Sequence, residues 1–166
     1  MAETDKNYEI VMASETDRMG LLDLYSTLKG FEGCPWDEDY PSNETIDFDL
    51  SRDALFVLKE EGGIRAAVSI DDDDQVNSLE CWNKDLAPEA EIARIGVLPG
   101  FQKKGYGRIM IAFIMDEAKR RGYKGIRMLV NRYNEKAIRL YAGFDFKVVG
   151  ECHMYDQDFL CYEKPL

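Results

Sequence analysis

Gln102 to Gly107 reads QKKGYG. It lies between the apolar run IGVLPGF (Ile95 to Phe101) and the run RIMIAFIMDEAKRRG (Arg108 to Gly122). The first flank has strand character and is stopped by Pro99-Gly100, whereas the second repeats its apolar residues at helical spacing. A helix N-terminus leaves backbone N–H groups unpaired and carries about half a positive charge, so anions bind there. Gly105 and Gly107 lack a Cβ and let a phosphate approach the main chain, while Lys103, Lys104 and Arg108 add whole charges. Taken alone the six residues are a weak signal, because glycine-rich turns before helices are common and their lysines are usually solvated.

The charge distribution points the same way. The 166-residue chain carries a formal net charge of -11. Arg94 to Arg139 holds 12 Lys/Arg against 3 Asp/Glu, a balance of +9, and the remainder holds 9 against 29, or -20. One segment is built to meet an anion, whereas a nucleic acid would be repelled by most of the rest. A compact phosphorylated ligand fits better. The apolar content of 45% suits one well-buried core, so a single domain over residues 1–166 is expected. No run of 18 apolar residues occurs and the start MAETDKNYE is acidic, which implies no membrane span, no signal peptide and a cytoplasmic location. Cys34, Cys81, Cys152 and Cys161 lack CxxC spacing and have a single histidine, His153, beside them; free thiols and no metal follow. Monomer and homodimer both stay open.

Periodicity supplies the remaining elements. YEIVMA (Tyr8 to Ala13) reads as a strand. Asp17 to Lys29 reads as a helix, with Met19, Leu22, Tyr25 and Leu28 on related faces. A short helix over Asn43 to Ser51 follows the irregular loop FEGCPWDEDYP. ALFVLKE, Gly62-Gly63 and IRAAVSI then form a hairpin. Asp71 to Asp74 is a solvated turn, without the spaced oxygens and glycine of a calcium loop. EIARIGVL is a strand, Arg108 to Arg121 a helix capped by Gly122, GIRMLV a strand, Asn134 to Tyr141 a helix, and FKVVGEC and FLCYEK the last strands. The order predicts an α/β (α+β) fold with a mixed, mostly antiparallel sheet flanked by helices.

A P-loop requires GxxxxGK[ST], and a dinucleotide fingerprint requires GxGxxG with a later acid; neither occurs. The succession of EIARIGV, LPGF, QKKGYG, helix, MLV, NEKAIRLY and FKVVG instead resembles the GNAT superfamily of acyl-CoA-dependent N-acetyltransferases. It covers about Glu91 to Gly150, and the more variable first 90 residues match in element order only. The resemblance implies that acetyl-CoA is the co-substrate and that Gln102, Lys103, Lys104, Gly105, Tyr106 and Gly107 hold its pyrophosphate, with Arg108 opening the helix behind. It also implies that the strand splays along Glu91 to Leu98 and offers backbone groups of Ile95, Gly96, Val97 and Leu98 to pantetheine. Gly96 suits a bulge on steric grounds. Asn134 matches the asparagine that opens the second helix beside the cofactor, and an ordinary helix N-cap is equally compatible.

The same resemblance suggests the chemistry. An amine of pKa near 10.4 costs roughly 4 to 5 kcal/mol to deprotonate at pH 7. Glu91 stands where histone-type relatives carry a glutamate base, with a solvated strand-start carboxylate beside Glu89 as the bland alternative. Ribosomal-protein acetyltransferases carry their glutamate on the following strand, where this chain has Leu129. Tyr141, in AIRLY, matches a general-acid tyrosine that would protonate a thiolate of pKa about 8.5 at an uphill cost of roughly 2 kcal/mol; core packing is its alternative. The family pattern LYxxxGF meets LYAGFDF here. Either Asp145 replaces the glycine in a left-handed conformation, the register favoured because FKVVG then aligns without a gap, or Gly143-Phe144 is the family pair. A backbone N–H near Val97 would stabilise the oxyanion, so no acyl-cysteine is needed. Buried structural roles suit the cysteines, and packing or a pocket edge suits His153. Phe31, Trp36 and Tyr40, interleaved with Glu32, Asp37, Glu38 and Asp39, suit a cationic amine acceptor, small molecule or protein, and equally a capped core. A non-catalytic acyl-CoA-binding or sensing module is the alternative function.

Overall fold

The computed structural model describes residues 7–31, 34 and 36–166; the expected acceptor-loop residue Glu32 and the acidic start 1–6 lie outside them. Among the described residues seven strands occur in the order β1-β2-β3-β4-β5-β7-β6: β1 (Tyr8–Met12), β2 (Leu55–Glu60), β3 (Gly63–Asp71), β4 (Glu89–Val97), β5 (Gly125–Asn131), β6 (Lys147–Met154) and β7 (Gln157–Pro165). Their partners are mostly antiparallel, with β4 and β5 parallel. The helices are α1 (Arg18–Leu28), α2 (Asn43–Ser51), α3 (Asp74–Asn77), α4 (Tyr106–Arg120) and α5 (Glu135–Ala142). This is the expected mixed fold. The chain forms two compact units whose boundaries fall inside β3, β4 and α4.

Of the described residues, the first unit holds 7–30, 36–69 and 94–110. Its strand β2 is an apolar run, LFVL, buried on both faces as a central strand requires. It pairs with β1 from Tyr8↔Glu60 to Met12↔Phe56, and with β3 across a turn in which Glu61 and Gly62 take φ of 53 and 78. Helix α1 buries Leu21, Leu24, Tyr25 and Leu28, the i, i+3, i+4, i+7 stripe of an amphipathic helix. Met19, expected on that face, is 79% exposed, because it lies about two residues out of phase with the stripe. Helix α2 starts where expected: Ser42 accepts from Thr45 N at its N-cap.

Of the described residues, the second unit holds 31, 34, 70–93 and 111–166. Parallel rungs pair Glu89, Ala90 and Glu91 of β4 with Gly125, Ile126 and Arg127 of β5. The last rung is at Glu91, where the splay was expected to begin. Strand β5 continues against β7 to Asn131↔Phe159, and β7 pairs with β6 across a bulge between Val148 and Gly150. Ile111, Ile114 and Ala118 of α4 and Ile126, Met128 and Val130 of β5 are buried. Gly122, at φ 94, follows α4 and ends it as expected. The acidic run is more than a solvated turn: Asp71 ends β3, and Asp73 caps α3 by accepting from Gln75 N at 2.9 Å.

Candidate active site

Helix α4 begins at Tyr106, two residues before the expected start, so Arg108 lies within its first turn rather than opening it. A 3-10 turn, Gln102–Lys104, precedes it and ends at Gly105, whose φ of 79 is left-handed. A Cβ on Gly105 would meet no atom within 4 Å, so the main chain there is open to a ligand. Lys103 and Arg108 are exposed. Lys104 is held by Glu60 at 3.0 Å and lies over the Phe101 ring, so its charge is largely matched within the unit. The Tyr106 ring is buried and packs edge-on against Tyr8 at 5.6 Å, which leaves its backbone N–H as its contribution to the turn. An open left-handed glycine, a fresh helix N-terminus and exposed cations fit a pyrophosphate.

Replacing Gly105 by Val should therefore weaken acetyl-CoA binding more than Lys103→Ala does. The branched side chain enters the approach path and must also adopt a left-handed backbone, a strain of roughly 1 to 2 kcal/mol, whereas one solvated charge contributes about 1 kcal/mol or less. Calorimetric affinities for the two variants check the ranking.

The glycine expected to bulge β4 does something else. Gly96 gives close approach: a Cβ there would stand 2.4 Å from Leu28 Cδ1 and 3.3 Å from the Trp36 ring. The residue that leaves extended conformation is Arg94, at φ 50. Its guanidinium grips Asp49 of α2 through Nη2 to Oδ1 at 2.6 Å and Nε to Oδ2 at 3.0 Å. Ser69 Oγ donates to Asp49 Oδ2 at 2.7 Å, Arg52 Nη2 to Oδ1 at 2.9 Å, and Arg94 Nη1 to the Tyr40 hydroxyl at 2.8 Å. Arg94 and Asp49 are 6% and 0% exposed, so the pair meets its desolvation cost through complete hydrogen bonding. Nor are all the backbone groups of Ile95 to Leu98 open. Leu98 N donates to Arg65 O at 2.7 Å, and Gln102 Nε2 donates to Val97 O at 3.2 Å.

Of the expected acceptor aromatics, Trp36 is half-buried edge-on to Tyr25 at 5.4 Å. Tyr40 is 40% exposed with its hydroxyl on Arg94, and Phe31 is 51% exposed. Tyr40 thus has a structural bond and an accessible face together.

Glu91 is not a solvated strand-start carboxylate: it is 6% exposed on β4, where Ala90 and Ile92 on either side are buried as well, so both faces of the strand are covered there. In the same unit the Tyr155 hydroxyl donates to Asp73 Oδ2 at 2.7 Å. Burial, then Asp73, then the charges of Asp71 and Glu91 push the Tyr155 phenol up. Tyr141 is 4% exposed, with Phe146 and Tyr162 ring centroids at 5.9 and 6.1 Å. Burial, and then Tyr162, raise its phenol well above the ordinary tyrosine range, so the proton is firmly held and its direct transfer is steeper than for a solvated tyrosine. Asn134 is the N-cap of α5, accepting from Ala137 N at 3.2 Å. Asp145 takes φ 61 whereas Gly143 takes φ -68, so the left-handed conformation falls on the aspartate, as in the favoured register.

The side chain of Glu89 is likewise buried, at 3% exposure. Desolvation, followed by its hydrogen bond and repulsion with Glu163, pushes its carboxyl up to about 8, while Arg127, 3.9 Å away, pulls the other way. Between its ordinary value of 4.5 and about 8 the folded chain keeps a proton that the unfolded chain releases. Its contribution to stability is therefore full below the lower value and is lost as pH rises through the upper one. Glu89→Gln, which stays neutral, should gain Tm relative to the parent as pH rises through this window. Parallel melting-temperature profiles would contradict the assignment.

His153 does not pack in the core: its side chain is 66% exposed and faces Asp158, with Nδ1 and Oδ1 2.8 Å apart. Cys81, Cys152 and Cys161 converge in one cluster with Val76 and Trp82. Burial first, then the neighbouring thiols, raises the Cys161 pKa, which makes it a poor nucleophile. Among the described residues no group of three His, Cys, Asp or Glu side chains could hold a metal ion, and no helix is long and apolar enough to cross a membrane.

Strand β4 is thus followed by a left-handed glycine turn and a helix N-terminus, within a mixed sheet. Residues 21–146 match the model of the Acetyltransferase (GNAT) family, and the chain belongs to that family. It is 34% identical over 61 residues to the mycothiol acetyltransferase of Frankia alni, a stretch covering 37% of this chain and 18% of that one. It is 36% identical over 58 residues to the [ribosomal protein bS18]-alanine N-acetyltransferase of Salmonella typhimurium, covering 35% and 39%. The likeness thus spans well under half of either relative. The structure of yncA from Salmonella typhimurium with its cofactor acetyl-CoA has a TM-score of 0.75 at 19% identity, covering 97% of this chain and 95% of that one. That likeness is one of fold.

Proposed function

We propose that this protein is an N-acetyltransferase that moves an acetyl group from acetyl-CoA to a primary amine by direct attack on the thioester. The open left-handed Gly105 at the start of α4 carries the reading; family membership and the acetyl-CoA bound by yncA support it. Gln102 to Gly107, with Arg108, would hold the pyrophosphate. Acetyl-CoA when bound supplies an activated acyl thioester. Glu91, buried on β4, takes the proton that a cationic amine must lose, the backbone N–H near Val97 receives the negative charge developing on the carbonyl oxygen, and Tyr141 returns a proton to the leaving sulfur. The exposed faces of Phe31 and Tyr40 and the half-buried Trp36 suit an amine cation.

The buried, firmly protonated Tyr141 is the observation favouring a second reading, an acyl-CoA-binding or sensing module without turnover. Both readings predict that acetyl-CoA raises Tm while amines alone barely do, because the anion site is preformed. No shift at millimolar acetyl-CoA would overturn both.

A further inference from the structure

We propose that Arg94 is a positioning residue: its buried pair with Asp49 sets the backbone path of β4 and so aims the main chain of Ile95 to Leu98 at the acyl donor, an inference that rests on the donor reading above. Side-chain direction is tied to backbone conformation, and a non-glycine residue keeps a left-handed φ only where its surroundings over-determine it. At Arg94, φ is 50, and the surroundings are explicit. The two-pronged grip on Asp49 fixes the plane and direction of the guanidinium, and Tyr40 holds its third nitrogen. Asp49 is itself fixed by α2, by Ser69 and by Arg52.

Downstream, the chain is pinned twice more. Gly96 has no room for a Cβ beside Leu28, and Leu98 N is bonded to Arg65 O. Between these pins the orientation of the peptide groups depends on the turn taken at Arg94, which an ordinary strand residue would not take. A glycine at position 94 could take it without the pair; an alanine would return to extended backbone. This separates the role from simple stabilisation, because glycine restores neither the ion pair nor its packing and leaves the unfolded chain with more freedom to lose.

The test compares Arg94→Gly with Arg94→Ala. The 1H–15N shifts of Ile95 to Leu98 are read in the ligand-free protein, and acetyl-CoA affinity is read by calorimetry. Arg94→Gly should keep near-parental shifts and an affinity within about threefold of the parent, whereas Arg94→Ala should lose affinity about tenfold or more. Equal shifts and equal affinities in the two variants would overturn the proposal. If the Arg94 variants do not fold, Asp49→Asn carries the test, raising the KM for acetyl-CoA by about tenfold with little change in kcat; an unchanged KM would overturn it. Failure of the parent protein to bind acetyl-CoA would overturn the donor reading, and this inference with it, whereas intact parental binding with indistinguishable glycine and alanine variants would overturn this inference alone.

Discussion

Tyr141→Phe should fold, bind acetyl-CoA with near-parental affinity and lose about 100-fold to 10,000-fold in turnover, the usual range for a general acid. The phenyl ring keeps the contacts with Phe146 and Tyr162 that place residue 141 in the core. What is lost is the only transferable proton on that side chain. Because burial raises this phenol, its conjugate base is costly, and the proton should move only as negative charge gathers on the sulfur. A thioester with a more acidic leaving thiol needs less help and should recover part of the lost rate. Unchanged turnover with the natural donor would return Tyr141 to a packing role.

Glu91→Gln should lower turnover by a similar factor, about 100-fold or more near neutral pH, with the deficit shrinking as pH rises toward the amine pKa. Glutamine preserves the shape of a side chain that is 6% exposed but cannot take a proton. At higher pH the acceptor loses its proton to solvent and the base becomes dispensable. The ratio of parental to variant kcat/KM, followed across pH, checks this. A constant ratio would assign Glu91 to positioning.

The parts of the site that were legible in the sequence are those encoded by neighbours. QKKGYG predicted a turn and a helix N-terminus because Gly105 can take φ 79 and the apolar repeat starts directly after it. Asn134 caps α5 through Ala137, three residues on, and the left-handed Asp145 needed only the local pattern LYAGFDF. Long-range partners were not legible. Arg94 and Asp49 are 45 positions apart, and Tyr155 and Asp73 are 82 apart. Only strand order and register bring such groups together. The same holds for Glu89 with Glu163 and for the three converging cysteines, which no spacing rule links. Gly96 misled because two reasons for glycine, bulging and close approach, look alike in sequence; the structure assigns close approach to it and the backbone turn to Arg94.

The central claim is amine-dependent consumption of acetyl-CoA. The most direct measurement is release of free coenzyme A thiol when the purified protein and acetyl-CoA meet a panel of polyamines, aminoglycosides, amino-acid derivatives and peptides with free N-termini, alongside calorimetry with acetyl-CoA alone. The account predicts binding without amine and thiol release that rises with at least one amine class and saturates. Calorimetric binding with thiol release no greater than in the amine-free control, across the whole panel, would contradict the enzyme and favour the sensing module.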